Sequence, residues 1–220
     1  MSKLAIFDCD GTLVDSGGTI HRALKSTFDS HGLDCPPRAV TRKVIGLSLD
    51  EAFAALVPDG DHAALSQTYK DAFFAMRSKG VVEEPLFDGI IAALDGFRAD
   101  GWVLGVATGK SMRGLTHCLD AHEITDHFVT LQTADSHPSK PHPSMVLAAI
   151  AEAGSSAAET VFIGDTAWDM GSARNAACGA IGAGWGYHDE AELRDAGAHS
   201  VALDPAELVA LSQRWIGEQT

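Results

Sequence analysis

The sequence has few basic residues. Its 220 residues include 16 Lys and Arg against 30 Asp and Glu, which gives a formal net charge of −14. Proteins that bind along a nucleic acid or on an anionic membrane neutralise phosphates with clustered Lys and Arg, and this chain has no such stripe. We therefore expect neither nucleic acid nor a membrane as a partner. A small anionic substrate is compatible with this charge if the site carries its own cations.

A long apolar run is also missing near the start of the chain. The first apolar run, LAIF at residues 4–7, is ended by Asp8. It is too short for a signal peptide or a membrane-spanning helix. We therefore expect a cytoplasmic protein.

Cysteine pairs and zinc motifs are absent as well. The four cysteines are widely scattered without a CxxC pair, which predicts neither a disulfide framework nor a zinc site. They are Cys9, Cys35, Cys118 and Cys178. The ten histidines include no HExxH motif, and the spacing of five in His117, His122 and His127 would distribute them around a helix. We expect these histidines on the surface or in loops.

The chain does contain enough apolar residues for a core, with 45% hydrophobic and 21% charged residues. From Asp88 onward short apolar runs alternate with helical patterns, which predicts an α/β fold with a mostly parallel, Rossmann-like sheet that binds ligands beyond the carboxyl ends of its strands. The predicted strands are Lys3–Phe7, Trp102–Val106, His127–Leu131, Thr160–Ile163, Gly179–Ala183 and Ser200–Leu203. The helical segments between them are Gly89–Ala99, Met112–Ala121, Pro143–Ala153, Trp168–Ala177 and Glu190–Ala196.

Residues 16–84 break this alternation. They contain no convincing strand, but they do contain three helical patterns separated by turns that are rich in proline and glycine. These patterns are Ile20–His31, Asp50–Leu56 and Ala63–Lys79. We predict a core domain of residues 1–15 and 85–220, with a helical cap domain of residues 16–84 inserted after the first strand.

Two carboxylates follow the first predicted strand. In IFDCDGTLVDS, residues 6–16, Asp8 and Asp10 are two positions apart, so on an extended strand they point the same way and repel each other. Taken alone, the motif is better explained by a turn in which one aspartate is a cap and which Gly11 permits.

A second acidic cluster follows another apolar run. In VFIGDTAWDM, residues 161–170, a helix that begins near Thr166 would have Asp165 at its N-cap and Asp169 one turn later. A divalent cation would relieve the repulsion in both acidic clusters. Mg²⁺ suits such a site because it prefers oxygen ligands and uses few protein carboxylates.

Two further motifs follow apolar runs. In VATGKS, residues 106–111, the Thr108 hydroxyl and the backbone N–H groups of Gly109 and Lys110 are placed to hold a phosphate oxygen. The GxxxxGK[ST] spacing is missing, so a P-loop NTPase is excluded. In SKPHPSM, residues 139–145, Pro141 forces Lys140 toward an extended conformation, so that Lys140 projects from a stiff loop.

This ordered set of motifs resembles the haloacid dehalogenase superfamily, specifically subfamily I and its phosphoglycolate phosphatase-like group, which has a helical cap after the first strand. The motifs that support this resemblance are DxDGTLVDS, the threonine of VATGKS, the lysine of SKPHPSM and the aspartates of VFIGDTAWDM. The resemblance covers nearly the whole chain, including the tail GWGYHDEAELRDAGAHSVALDPAEL. It implies a Mg²⁺-dependent phosphatase that acts on a small phosphorylated metabolite, as a monomer or a homodimer.

The resemblance also assigns roles. Asp8 matches the nucleophile that forms an aspartyl-phosphate, and Asp10 matches the general acid and base, whose backbone carbonyl is also a metal ligand. Asp8, Asp165 and Asp169 complete the implied metal site. The residues implied to hold the phosphoryl oxygens are Thr108, Gly109 and Lys140.

Specificity is expected to lie in the cap. Arg42, Lys43 and Ser48 are the candidates for binding a second anionic group of the substrate. Arg113, which lies near the VATGKS motif, is a weaker candidate. Trp168 is bulky for its position and is expected either to pack beneath its helix or to narrow the pocket.

Two enzymatic alternatives remain at this stage. A sugar-phosphate mutase also keeps both aspartates, and some mutases have a histidine early in the cap, in the region of His21. Pyrophosphate is hydrolysed by close relatives with the same core motifs. A phospho-aspartate receiver domain is disfavoured because it lacks a cap and because its acceptor follows a middle strand.

Overall fold

The computed structural model describes residues 2–219, and a six-stranded parallel sheet forms its centre. The strands are β1 (Leu4–Phe7), β2 (Val103–Thr108), β3 (Phe128–Thr133), β4 (Thr160–Gly164), β5 (Gly179–Ala183) and β6 (Ser200–Ala202). Their order across the sheet is β3-β2-β1-β4-β5-β6. The chain therefore adds β2 and β3 on one side of β1 and then crosses to the other side, where it adds β4, β5 and β6. All six predicted strands are therefore confirmed, and the α/β prediction with them.

Both faces of the sheet are covered, which explains why its strands are continuous apolar runs. Along β1, Leu4 and Ile6 join the apolar cluster on one face, whereas Ala5 and Phe7 join the cluster on the other face. Cys9 continues the second series and packs with it. The thiol of Cys9 therefore points into the core, on the face opposite to that of its neighbours in the motif.

The helices follow in two groups. The first group follows β1 directly and consists of α1 (Gly17–Ser30), α2 (Arg38–Thr41), α3 (Leu49–Leu56) and α4 (His62–Ser78). The remaining helices are α5 (Ile90–Ala99), α6 (Met112–Ala121), α7 (Ser144–Glu152), α8 (Ala167–Asn175), α9 (Glu190–Asp195) and α10 (Leu208–Glu218). No helix within residues 2–219 is long and apolar enough to cross a bilayer.

Two helices were not predicted. Helix α2 has four residues, too few for an apolar periodicity to appear. Helix α10 carries Leu208 and Trp215 on its buried side and packs on the sheet and on α5. The other eight helices match the predicted segments, with ends that differ by three residues or fewer.

Helices α1, α3 and α4 share an apolar cluster of their own, separate from the two clusters on the sheet. Its buried members are Ala23, Leu24, Phe28, Phe53, Leu65 and Tyr69. The division into a core and a cap of residues 16–84 stays a prediction, and this cluster supports it.

The segments that lead into and out of these helices run side by side. The backbone N–H of Asp15 donates to Pro85 O over 2.8 Å, and the N–H of Phe87 donates to Leu13 O over 3.0 Å. Thr19 accepts from the N–H of Glu83 and donates to its carbonyl. These bonds fix the position of α1 to α4 at the carboxyl end of β1.

We expect Phe97→Ala to destabilise the protein. Phe97 is fully buried between Phe7 and Trp102, with ring centroids 5.7 and 5.3 Å away. Truncation of such a ring lowers the free energy of unfolding by about 3–5 kcal/mol. Urea denaturation measures this loss, and Leu147→Ala, at a half-exposed position on α7, is the matched control with an expected change within about 0.5 kcal/mol. Equal losses in the two variants would contradict this account of the core.

Candidate active site

Asp8 lies directly after β1 at the carboxyl edge of the sheet. Its backbone N–H extends the ladder by donating to Ile163 O over 2.9 Å, and its carboxylate is buried at the end of a cavity. Lys140 Nζ lies 2.9 Å from Asp8 Oδ1 and forms an ion pair with it. Neither oxygen of Asp8 has a hydrogen-bond partner among the described residues. A buried carboxylate in that condition is open to a further cationic ligand.

Asp165 and Asp169 follow β4, the strand beside β1. The predicted N-cap was wrong by one residue, because Thr166 caps α8 and Asp169 completes the capping box. Asp169 Oδ2 accepts from the Thr166 backbone N–H and hydroxyl over 3.0 and 2.6 Å. Asp165 accepts instead from the Thr12 hydroxyl over 3.0 Å and from the Tyr187 N–H over 2.8 Å. Each carboxylate is thus fixed by two hydrogen bonds.

Two glycines leave room for Asp165. A Cβ on Gly11, where φ is +86°, would lie 2.2 Å from Asp165 Oδ2. A Cβ on Gly186 would lie 2.1 Å from Asp165 Cβ. Both backbones approach the carboxylate more closely than any side chain would allow, which is a use of glycine that the sequence pattern at Gly11 only partly indicated.

Asp8, Asp165 and Asp169 form one acidic cluster, with an oxygen from each lying within 4.8 Å of the others. Burial raises the pKa of Asp165 well above its usual range, and the carboxylates of Asp169 and Asp8 add to the rise. Burial is also the main reason that the pKa of Asp8 is raised to about 7, although Lys140 opposes the rise. Ionisation of all the carboxylates in the cluster is therefore unfavourable without a further cation. Their oxygens suit a divalent cation that prefers oxygen ligands.

Lys140 is the cation already present in the cluster. Its ammonium is almost fully buried and lies 2.6 Å from Asp169 Oδ1 as well as 2.9 Å from Asp8 Oδ1. Burial alone would lower the pKa of Lys140, but the two carboxylates raise it. When all three carboxylates are ionised, they and the one ammonium leave two negative charges, which match the charge of a divalent cation.

Asp10 belongs to a different network. Its Oδ1 accepts from the Ser16 hydroxyl and lies 2.8 Å from Lys110 Nζ. Lys110 also contacts Glu84 over 2.6 Å, and Glu84 reaches Arg77 of α4 over 3.1 Å. Burial would lower the pKa of Lys110, but Asp10 first, and Glu84 after it, raise the pKa well above its usual range. The chain of charges links the sheet edge to helix α4.

The side chains of Lys110 and Glu84 were missed as site residues. Lys110 lies two residues after Thr108 in the same motif, and that position is a signal which could have identified it. Glu84 was interpreted only as the end of the inserted segment. Its pairing with Lys110 joins residues 26 positions apart in the sequence, and no local pattern predicts such a contact.

Thr108 and Gly109 lie where the motif predicts, at the end of β2 and on the cavity wall. The buried Thr108 hydroxyl accepts from the Lys110 N–H over 3.3 Å. A Cβ on Gly109 would lie 2.6 Å from Leu47 O. The loop before α3 therefore packs directly on the threonine motif, and Gly109 allows that approach.

The four predicted specificity residues separate into two pairs. Ser48 and Arg113 line the cavity. Within the described part of the chain, Arg42 and Lys43 are not on its wall. The Arg42 guanidinium lies 5.3 Å from the Tyr187 ring centroid, and Lys43 pairs with Glu192. Both side chains thus contact the sheet side of the molecule.

Trp168 contacts the inserted helices as well. Its indole Nε1 donates to Lys43 O over 3.2 Å, and its side chain is half-buried. Neither expected role describes it, because Trp168 connects α8 to the segment before α3. That contact depends on two segments 125 residues apart, which explains why the sequence alone did not indicate it.

The histidines and cysteines join no metal cluster among the described residues. His21 lies 3.0 Å from the Thr41 hydroxyl, away from the cavity wall. His122 contacts Glu84 O over 2.7 Å, and His117 is exposed at the cavity rim. All four cysteines are free thiols, as their spacing predicted.

Comparisons with known proteins agree with this geometry. A family model described as haloacid dehalogenase-like hydrolase matches residues 5–183. The chain is 34% identical over 204 residues to the probable phosphatase IndB of Dickeya dadantii, with 89% of this chain and 87% of that protein covered. It is 29% identical to the phosphoglycolate phosphatase of Agrobacterium fabrum, with 86% and 83% covered.

A solved structure has the same fold. It is a hydrolase of the haloacid dehalogenase-like family from Streptococcus pneumoniae, which superposes with a TM-score of 0.83 at 27% identity. The superposition covers 95% of this chain and 97% of that one. Because the family model spans most of the sequence and the sheet carries the family's motifs at one edge, the chain belongs to the haloacid dehalogenase-like hydrolases.

Proposed function

We propose that the protein is a Mg²⁺-dependent phosphatase that hydrolyses a small phosphate monoester through an aspartyl-phosphate on Asp8. The observation that supports this most directly is the Asp8 carboxylate, which is buried at the end of a cavity and, within the described chain, is paired with Lys140 alone. Relatives named phosphatase and phosphoglycolate phosphatase support the same reaction class.

In the first step, an oxygen of Asp8 attacks phosphorus while the bond from phosphorus to the alcohol oxygen breaks. The leaving alkoxide takes a proton from Asp10, which acts as the general acid. Lys110 and Ser16 orient the Asp10 carboxyl group by direct contacts.

In the second step, Asp10 takes a proton from water, which attacks the phosphorus of the aspartyl-phosphate. The bond between phosphorus and the Asp8 oxygen breaks, so inorganic phosphate is released and the Asp8 carboxylate is restored. Asp10 ends the cycle protonated, ready for the next ester. The balance is one water consumed for each ester hydrolysed.

The phosphoryl group carries negative charge that has to be held near an acidic cluster. Lys140, the Thr108 hydroxyl and the backbone N–H of Gly109 would contact its oxygens. Asp8, Asp165, Asp169 and the Asp10 carbonyl would hold Mg²⁺. When bound, the metal supplies charge neutralisation between the nucleophile and the phosphoryl oxygens.

The mutase alternative gains no support from the described residues. His21 was the candidate that favoured it, and its ring contacts Thr41 instead of facing the cavity. Pyrophosphate hydrolysis shares the core chemistry, and its measurement belongs in the same assay.

We expect Asp8→Asn to abolish turnover. An amide does not attack phosphorus, so phosphate release from acetyl phosphate with Mg²⁺ should fall by at least about 10³-fold, and native turnover should stop in the presence of a chelator. Asp59→Asn, in the exposed turn between α3 and α4, is the matched control and should retain native activity. Turnover that survives Asp8→Asn would overturn the assignment of the nucleophile.

We expect Mg²⁺ to bind more weakly as the pH falls from 8 to 6. The pKa of Asp8 is raised to about 7 and that of Asp165 is also raised, so in the metal-free protein these groups take up protons that the metal must displace. The dissociation constant should increase by up to about tenfold per pH unit for each displaced proton. Calorimetric titration of the native protein at several pH values measures this, and a dissociation constant that stays constant over the range would contradict it.

A further inference from the structure

The cavity above Asp8 is large for a substrate with a short alcohol part. Its volume is about 450 Å³, within the range of roughly 300–1,000 Å³ that is typical of sites for ligands of drug size. Asp8 and Asp10 lie at its inner end, and helices α4 and α6 form walls beyond them. A phosphoryl group held by the sheet edge would leave most of this space to the rest of the substrate.

One wall is an aromatic face of α4. Tyr69, Phe73 and Arg77 are four residues apart and line the cavity in a row, with Phe74 beside them. At a rise of 1.5 Å per residue, this row extends about 12 Å along the helix. The rings of Tyr69 and Phe73 lie 6.0 Å apart, so they present one continuous apolar surface.

The buried and half-buried cations around the cavity already have carboxylate partners. Lys110 pairs with Asp10 and Glu84, and Arg77 of α4 pairs with Glu84. Among the cavity residues that the structure describes, Lys70 and Arg113 have no carboxylate partner, and both are exposed at the rim. The inner cavity therefore offers no unpaired cation for the carboxylate of a substrate such as phosphoglycolate.

Phe73 is held in place by the same charges. Lys110 Nζ lies 5.8 Å from its ring centroid, and the Arg77 guanidinium carbon lies 5.5 Å from it. These two cation–π contacts restrain the ring. A second aromatic ring packed against Phe73 would find a fixed partner and not a mobile side chain.

We propose, on the basis of the function proposed above, that the substrate is a phosphate monoester of an alcohol that carries an aromatic ring. The ring packs against Phe73 on α4 while the phosphoryl group lies at Asp8. Hydrolysis adds one water across the bond between phosphorus and oxygen and releases the aromatic alcohol with inorganic phosphate. Phe73 is then the residue that selects the alcohol part.

A matched pair of esters tests this assignment in the native protein with Mg²⁺. 2-Phenylethyl phosphate and ethyl phosphate have the same kind of leaving alkoxide and differ by the ring. We expect kcat/KM for the phenylethyl ester to exceed those for ethyl phosphate and phosphoglycolate by at least tenfold, which corresponds to about 1.4 kcal/mol. The non-hydrolysable pair 2-phenylethylphosphonate and ethylphosphonate should show the same order as inhibitors, which separates binding from turnover.

Variants on α4 and elsewhere in the inserted helices locate the effect. Phe73→Ala should reduce the ratio of the two kcat/KM values about tenfold, and Phe73→Leu, which keeps an apolar side chain of similar size, should reduce it less. Leu33→Ala, at an exposed position outside the cavity wall, should leave the ratio unchanged. Circular dichroism and melting temperature verify that each variant is folded.

The outcomes distinguish this inference from the function on which it rests. Acetyl phosphate presents little beyond its phosphoryl group and its acetate leaves without a proton, so its hydrolysis reports the attack by Asp8 and the role of the metal. Hydrolysis of acetyl phosphate without a preference for the phenylethyl ester would overturn the substrate assignment and leave the phosphatase intact. Absence of phosphate release from all four compounds would overturn both.

Discussion

The repulsion among buried carboxylates at one edge of the sheet is the constraint on which the rest of the structure depends. Burying like charges close together is costly, and it requires fixed partners. Strands β1 and β4 are neighbours with Phe7 opposite Ile163, so Asp8 and Asp165 emerge side by side. The apolar packing on both faces of the sheet supplies the stability that holds them there. Lys140 and the hydrogen bonds to Asp165 and Asp169 offset part of the repulsion, and the remainder favours a divalent cation.

The carboxylate cluster could be predicted from the sequence because its members follow the apolar runs of β1 and β4, whereas Lys140 was indicated by the prolines around it. Neighbouring parallel strands place Asp8 and Asp165 at one edge of the sheet, and the loop after β3 brings Lys140 to them. The sheet was predictable for a similar reason, since a run buried on both faces differs clearly from the helices around it. Short or terminal elements such as α2 and α10 carried a weaker signal.

Contacts between the inserted helices and the sheet could not be predicted in the same way. Arg42 and Lys43 have the charge expected of residues that bind an anion, but their direction depends on how the helices of residues 16–84 pack against the rest of the chain. The pairing of Lys110 with Glu84 depends on the same packing. Local patterns determine which face of a helix is apolar, whereas the docking of one unit on another is decided by side chains distant in sequence.

The paired segments Leu13–Asp15 and Pro85–Phe87 have a consequence for how the family diversifies. Because the inserted helices leave and re-enter the sheet through adjacent, hydrogen-bonded backbones, the ends of the insertion are close in space whatever lies between them. Closing a longer or shorter insertion across such a junction changes the chain entropy little. An insertion of another length could therefore be joined to the same strand, provided that it keeps the contacts of Ser16 with Asp10 and of Glu84 with Lys110.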